Sequence, residues 1–502
     1  MGLAAETSKA VAWNYAGTGV RSALAMALTI VLSRLLGPQP FGIIAAATAV
    51  IGLGSLLRDV GLGPALIHAE TLSVLDVRSA FTMQSTLGLC LWVACSLAAP
   101  ALGRGVHSSD FVPVLRVLGA TFFIQALGGA SASLLARELR YRKVQQVQIV
   151  AYAVGYAGVG LPCALARCGV WSLVAAQLTQ SVVFAVLMLR SYPVPLRPSW
   201  KWAGSCEIYG LKVFGTNLLN WIISNADTVC ISASVGIPNL GLYNRVQALT
   251  VLPLGAVLSS VNTVLFSAYS RKQSDPGAIA RVYLGVTGGF CTCVFPLYAG
   301  LAAIPALTVT SVFGAKYQSA AIVFAPAALI SCTMCLIAAA GPVLWALNRV
   351  EQELLSAAVF APTLILILAF FSGGSLRGVA YCMLGVFVAR ALVATALVVR
   401  CLHLSVRDIW DVWYPGIILS ACTFVASKCS SALLHRVFAS QIIVFLLVAG
   451  FTGGTGALLV IFFPRAFVPT VTLQRISGWA LGPRSSVIAA VRGFAFRLSR
   501  AR

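Results

Sequence analysis

The chain has 502 residues, of which 59% are hydrophobic and only 10% charged, with a mean hydropathy of +0.92. A soluble domain carries about 25% charged residues, so this composition excludes an ordinary water-soluble enzyme and places most of the chain in lipid. The formal net charge of +22 is not a nucleic-acid signature, because no basic patch occupies a separate soluble segment.

Near-continuous apolar runs of about 20 residues, each able to cross about 30 Å of hydrocarbon as a helix, predict about fourteen spans. They fall near 11–36, 41–66, 79–102, 112–136, 145–166, 169–189, 207–235, 239–268, 282–304, 319–345, 354–372, 380–399, 412–427 and 441–463. The expected fold class is an all-α polytopic membrane protein. The first run follows Glu6 and Lys9 with no small-residue cleavage pattern, so it is expected to be retained. Connections are short turns such as Arg137 to Lys143, Ser191 to Trp202 and Arg400 to Asp411, which leaves no room for a separate catalytic domain.

Charge sets the expected orientation. Lys9, Arg78, the 137–143 cluster, Arg190, Arg197, Lys201, Arg271, Lys272, Arg281, Arg349, Arg400, Arg407 and the tail arginines fall on one side of the alternating connections. Arg104, Arg167, Lys316, Arg377, Lys428 and Arg436 fall on the other. The positive-inside rule then puts both termini in the cytoplasm. The cysteines lie mostly in apolar runs as small buried residues; Cys163 and Cys168 flank one connection and would pair only if it faced an oxidising space.

The segment at 32–42 (LSRLLGPQPFG) returns at 231–241 (ISASVGIPNLG), matching Ser33 with Ser232, Gly37 with Gly236 and Gly42 with Gly241, and placing Arg21 opposite Asn220. An even number of spans separates the copies, so two similar lobes of parallel-repeat type are expected. The boundaries read from this are 1–200 and 201–400 for the lobes, 401–463 for two added spans and 464–502 for a basic cytoplasmic tail. Within that tail, 486–500 has helical apolar spacing suited to an anionic leaflet.

An ionisable group at bilayer depth costs at least about 2.5–3.5 kcal/mol and needs a partner, water or a use. Arg21 in the first span and Asp227 in the seventh are deep. Asn217, Asn220, Ser224 and Asp227 recur along one stripe of the seventh span, which predicts a face toward a wet cavity. Arg245 in the eighth span and Arg390 in the twelfth are candidates to line it. Two readings of Arg21 and Asp227 stand side by side: an ion pair joining the halves, or substrate contact by Arg21 and ion coupling by Asp227. Asn217 and Asn220 fit interhelical hydrogen bonds as well as ligand contact. Arg34, Arg58 and Arg116 lie near span ends and are read as structural, snorkelling groups. The sequence has no P-loop, the four histidines are scattered over turns, and Gly155, Gly158 and Gly160 fit close helix packing. No cofactor or metal is expected.

Ser33-Arg34-Leu35-Leu36-Gly37-Pro38 with Phe41-Gly42, then Arg58-Asp59-Val60-Gly61-Leu62-Gly63-Pro64, Arg137-Glu138-Leu139-Arg140-Tyr141-Arg142, Gly169-Val170-Trp171-Ser172-Leu173 and, later, Asn225-Ala226-Asp227-Thr228 and Leu240-Gly241-Leu242-Tyr243-Asn244-Arg245 carry a resemblance. The chain resembles Wzx-like polysaccharide flippases of the multidrug/oligosaccharidyl-lipid/polysaccharide superfamily, from about Lys9 to Phe463. The resemblance implies a two-lobed helical bundle with a cationic cavity. It also implies non-enzymatic translocation of a polyprenyl-diphosphate-linked oligosaccharide from the inner to the outer leaflet of the bacterial cytoplasmic membrane by alternating access, for exopolysaccharide, capsule or O-antigen synthesis. A polysaccharide polymerase and export machinery would be its partners. On that reading Arg21, Arg245 and Arg390 hold the diphosphate, Asn217 and Asn220 the glycan, and Asp227 a coupling ion. A drug or cation antiporter of the same superfamily, and a membrane-embedded glycan polymerase or ligase, are the competing expectations.

Overall fold

The computed structural model describes residues 3–58, 66, 73–106, 108–194, 199, 209–270, 275–434, 438 and 440–462. The basic tail, most of the 58–67 motif and part of the Pro-rich 191–202 connection lie outside them. Among the described residues the regular structure is helical throughout, with no strand.

The helices are α1 (Leu3–Leu35), α2 (Pro38–Arg58), α3 (Val74–Gly103), α4 (Phe111–Arg137), α5 (Tyr141–Leu165), α6 (Val170–Ser191), α7 (Tyr209–Ser234) and α8 (Ile237–Ser270). They continue with α9 (Pro276–Ala303), the short α10 (Pro305–Phe313), α11 (Ala321–Ala346), α12 (Val350–Phe371), α13 (Leu376–Cys401), α14 (Val406–Leu434) and α15 (Gln441–Phe462). Eleven of the described helical stretches are long and apolar enough to cross a membrane. Helix also runs over Tyr209–Ser234, Ile237–Ser270 and Gln441–Phe462, within the regions of three further predicted spans. Apolar length makes these segments helical, because within lipid every backbone N–H and C=O must be satisfied inside the segment.

Short polar turns start and stop the helices. Ser73 caps α3 in a capping box, its Oγ accepting from Asp76 N at 3.2 Å while Asp76 Oδ2 accepts from Ser73 N at 3.0 Å. Ser405 and Asp408 repeat the device at the start of α14, with distances of 3.1 and 2.8 Å. Gly236 ends α7 at φ 102°, its N–H donating to Ile231 O at 2.8 Å, a C-terminal turn that glycine makes without steric cost.

The chain forms two compact units, residues 1–256 with 357–382, and residues 257–356 with 383–502. In the first, α3 packs on α4, α4 on α6, α1 on α5, and α2 on α7. In the second, α9 packs on α14 and α11, and α14 on α15. The most apolar stretch of α3 is only 11% buried, against 61% for the stretch that includes α11. The first is therefore a peripheral helix with a broad lipid face and the second lies inside its unit.

The two copies of the repeated segment meet within the first unit. A Cβ at Gly42 would lie 2.0 Å from Ile237 O, and a Cβ at Gly241 would lie 1.9 Å from Pro38 O. Positions 38 and 237, like 42 and 241, are equivalent in the repeat, so the contact is reciprocal, as across a local two-fold axis. Only residues without a side chain allow the two backbones this close. Cys163 and Cys168 are free thiols.

Candidate functional site

Arg21 stands halfway along α1, where the apolar run offers no water, and the structure supplies it with a polar partner. Its Nη1 donates to Gln148 Oε1 on α5 at 2.7 Å. Both line a cavity of about 170 Å³ with Gln125 of α4, Gln180 and Ser181 of α6, Ala151 and Phe184. Such a volume holds several waters.

A chain of bonds runs along its wall. Arg58 Nη1 donates to Gln125 Oε1 at 3.1 Å, Gln125 Nε2 donates to Ser181 Oγ at 3.2 Å, and Ser181 Oγ donates to Gln177 O at 2.9 Å. Arg58, read from the sequence as a span-end group, is thus tied to a residue of the cavity. No Asp or Glu lines it among the described residues. The wall offers guanidinium donors and neutral amides, a set that binds phosphate and hydroxyl groups.

Residues 153–160 of α5 form a π-helical segment, a widened turn that often marks functional sites. It is accommodated by glycine: a Cβ at Gly155 would come within 2.6 Å of Ala176 O, and one at Gly160 within 2.8 Å of Ala176 Cβ. Tyr152 and Tyr156 stack at its start, with ring centroids 4.5 Å apart and planes 15° from parallel. Arg21 and Arg245 both lie within electrostatic reach of Tyr152. Arg245 of α8 places its guanidinium 3.9 Å from the centre of the Phe41 ring and donates to Asn244 Oδ1 at 2.6 Å.

Asp227 has different surroundings. It is 1% exposed. Its Oδ2 accepts from Tyr243 Oη at 2.9 Å and Gln247 Nε2 at 2.7 Å, and its Oδ1 accepts from Thr228 N at 2.6 Å and Thr228 Oγ1 at 3.3 Å. The carboxyl group is hydrogen-bonded by four donors on α7 and α8 and is not paired with Arg21, whose bonding partner is Gln148. The stripe on α7 consequently does not share one environment. Asn217 and Ser224 are exposed, Asn220 is half-buried, and Asp227 is sealed.

Arg390, in the second unit, lines a cavity of only about 20 Å³ with Glu353, Ser356, Gly341 and Leu344. Glu353 accepts a hydrogen bond from Trp345 Nε1 and attracts the Arg390 guanidinium electrostatically. That space admits about one water and not a diphosphate.

The sequence reading missed Gln125, Gln148, Gln180, the tyrosine pair and Glu353. Glutamine at one position on each of several helices leaves no periodic trace. Glu353 sits at a span boundary, where an acid looks like part of a turn.

The chain belongs to the polysaccharide biosynthesis protein family, which matches residues 31–322. It is 22% identical over 327 residues to the lipopolysaccharide biosynthesis protein WzxC of Escherichia coli (strain K12), covering 64% of this chain and 65% of that protein. It is 24% identical over 296 residues to the succinoglycan biosynthesis transport protein ExoT of Rhizobium meliloti (strain 1021), covering 58% and 59%. The match thus spans less than two thirds of the length of these relatives. In fold the chain is similar to the lipid II flippase MurJ in an inward closed conformation, with a TM-score of 0.67, 13% identity and 88% and 99% coverage. It is also similar to an inward-facing multidrug resistance MATE transporter, with a TM-score of 0.56, 15% identity and 76% and 94% coverage. These likenesses show a shared fold, a helical bundle of the transporter type.

Proposed function

We propose that this protein carries a polyprenyl-diphosphate-linked oligosaccharide across the bacterial cytoplasmic membrane by alternating access, serving exopolysaccharide, capsule or O-antigen synthesis. The observation that carries the reading is the acid-free cavity of Arg21, Gln125, Gln148 and Gln180 beside Tyr152 and Arg245, in a chain whose relatives are named for lipopolysaccharide biosynthesis and succinoglycan transport. Guanidinium groups hold phosphate oxygens in bidentate fashion. Amides and the tyrosine hydroxyls take sugar hydroxyls, while the lipid tail remains in the bilayer. Asn217 and Asn220 extend the glycan contacts along α7, and Asp227 takes up the coupling ion. All fourteen helical stretches cross the membrane on this reading, both termini are cytoplasmic, and the lobes divide near residue 200. A polysaccharide polymerase and export machinery receive the product.

Arg390 takes a narrower part. With Glu353 beside it and space for about one water, it acts in the substrate path only in a state where that cavity has opened.

The deciding experiment is deletion of the gene followed by identification of the lipid-linked glycan that accumulates on the cytoplasmic face. Restored export on re-expression, with an undiminished lipid-linked pool in cells carrying Arg21→Ala, is the expected result. Accumulation of no lipid-linked glycan would overturn the proposal. The superfamily's alternative cargo, a cationic drug, has no carboxylate to meet in this cavity.

A further inference from the structure

Outside that cavity, α3, α4 and α6 enclose a groove of about 660 Å³ whose lining includes Leu89, Trp92, Val93, Ser96, Arg116 and Val182. It opens to lipid, since α3 is the peripheral helix of the first unit and Leu97, beside the groove, is 76% exposed. An arginine is out of place in an apolar groove of this kind, and it is held there. Arg116 Nε donates to Ser96 O on α3 at 3.3 Å, and Trp92 Nε1 donates back to Arg116 O at 3.0 Å. Gly119 makes room for that indole, since a Cβ there would meet Trp92 Cδ1 at 3.0 Å. The guanidinium is therefore pinned across the groove by its Nε, and neither of its Nη groups has a hydrogen-bond partner or a carboxylate among the described residues.

Depth fits a headgroup. The 27 residues of α4 span about 40 Å at ~1.5 Å per residue, about 5 Å beyond the ~30 Å hydrocarbon core at each end. Arg116, in a helix that starts at Phe111, lies about 7.5 Å along the axis, just inside the boundary and within reach of lipid phosphates.

We propose that this groove is a binding site for one anionic phospholipid, its phosphate on the Arg116 Nη groups and its acyl chains along Leu89, Val93 and Val182. Charge favours an anionic over a zwitterionic lipid. A guanidinium with no carboxylate beside it attracts net negative charge, and the ammonium of a zwitterionic headgroup would be set beside a like charge.

The test is native mass spectrometry of the purified full chain in detergent, incubated with equal amounts of phosphatidylglycerol and phosphatidylcholine. Wild type is expected to retain phosphatidylglycerol in about fivefold preference, the scale of one arginine's attraction to a net anionic headgroup. Arg116→Gln should abolish the preference, and Arg104→Gln, at an exposed arginine that follows the C-terminus of α3, should keep it. Arg116→Lys, which keeps a cation but loses the tie to Ser96, should fall between. Equal retention by wild type, a preference that persists in Arg116→Gln, an equal loss in Arg104→Gln, or full preference in Arg116→Lys would each overturn the assignment.

Discussion

Replacing Arg21 with alanine removes a guanidinium that lines the polar cavity of the first unit and leaves Gln148 Oε1 without that donor. The proposed function then predicts at least a tenfold fall in glycan export, with membrane abundance of the protein unchanged, because a cavity of this volume has room for water to take the place of the lost donor. Arg21→Lys should recover only part, since an ammonium lacks the planar fork that grips a diphosphate. Export complementation scored against protein level decides it. Asp227 invites the opposite measurement. Asp227→Ala leaves the Tyr243 hydroxyl and the Gln247 amide with no acceptor in a buried place, which costs about 1–3 kcal/mol and should lower the melting midpoint in detergent. Asp227→Asn keeps one acceptor and should melt closer to wild type while losing any pH or sodium dependence of transport. Both residues were legible in the sequence because a charge in an apolar run is conspicuous. Their partners were not. Arg21 meets Gln148 across 127 positions, and neither spacing nor composition pairs a lone charge with a neutral amide that far away. The expectation that Asp227 shares a wet stripe with Asn217 failed for a related reason, because helical spacing fixes which residues share a face but not where the neighbouring helix closes over it.

Helices were the most legible elements, since each needs only an apolar run of sufficient length between polar turns. The π-helical part of α5 was hidden, because AVGYAGVG has the composition of any packed membrane helix. The repeated segment was visible as a pattern, while its role in bringing α2 and α8 together depended on the fold. That contact makes a paired prediction. Gly42→Ala and Gly241→Ala each drive a methyl group against a backbone carbonyl that has no side-chain freedom to yield, and overpacking of this kind costs about 1–3 kcal/mol or more. Because the contact is reciprocal, the two variants should lower the unfolding midpoint by similar amounts. The double variant should cost less than their sum, since the first methyl already parts the helices. A large effect at one glycine and none at the other would contradict the local two-fold. The Ser405 cap on α14 supplies a control at the same scale, with Ser405→Ala expected to cost about 1 kcal/mol and to leave export intact.

For the molecule as a whole, the proposed cargo fixes the sign of its response to voltage. A polyprenyl diphosphate bears about two negative charges, and each charge moving outward across an inside-negative potential releases about 2.3 kcal/mol per 100 mV. Transfer is then favourable by about 4.6 kcal/mol per 100 mV if nothing else moves, enough to drive the cycle without nucleotide hydrolysis. Reconstituted vesicles with a potassium diffusion potential test this directly, because valinomycin sets the polarity and the glycan can be scored on each leaflet. An interior-negative potential should accelerate outward transfer of the lipid-linked glycan, and reversing the gradient should slow it. If a cation entering the cell through Asp227 is tightly coupled, it adds a further inward positive charge and steepens the voltage dependence. Asp227→Asn would then flatten the slope toward that of the cargo alone, while Arg21→Ala would lower the rate at every voltage. A transfer rate indifferent to polarity in wild type would require a cation to accompany the diphosphate outward, and that would remove the cationic cavity's electrostatic reason for being free of acids.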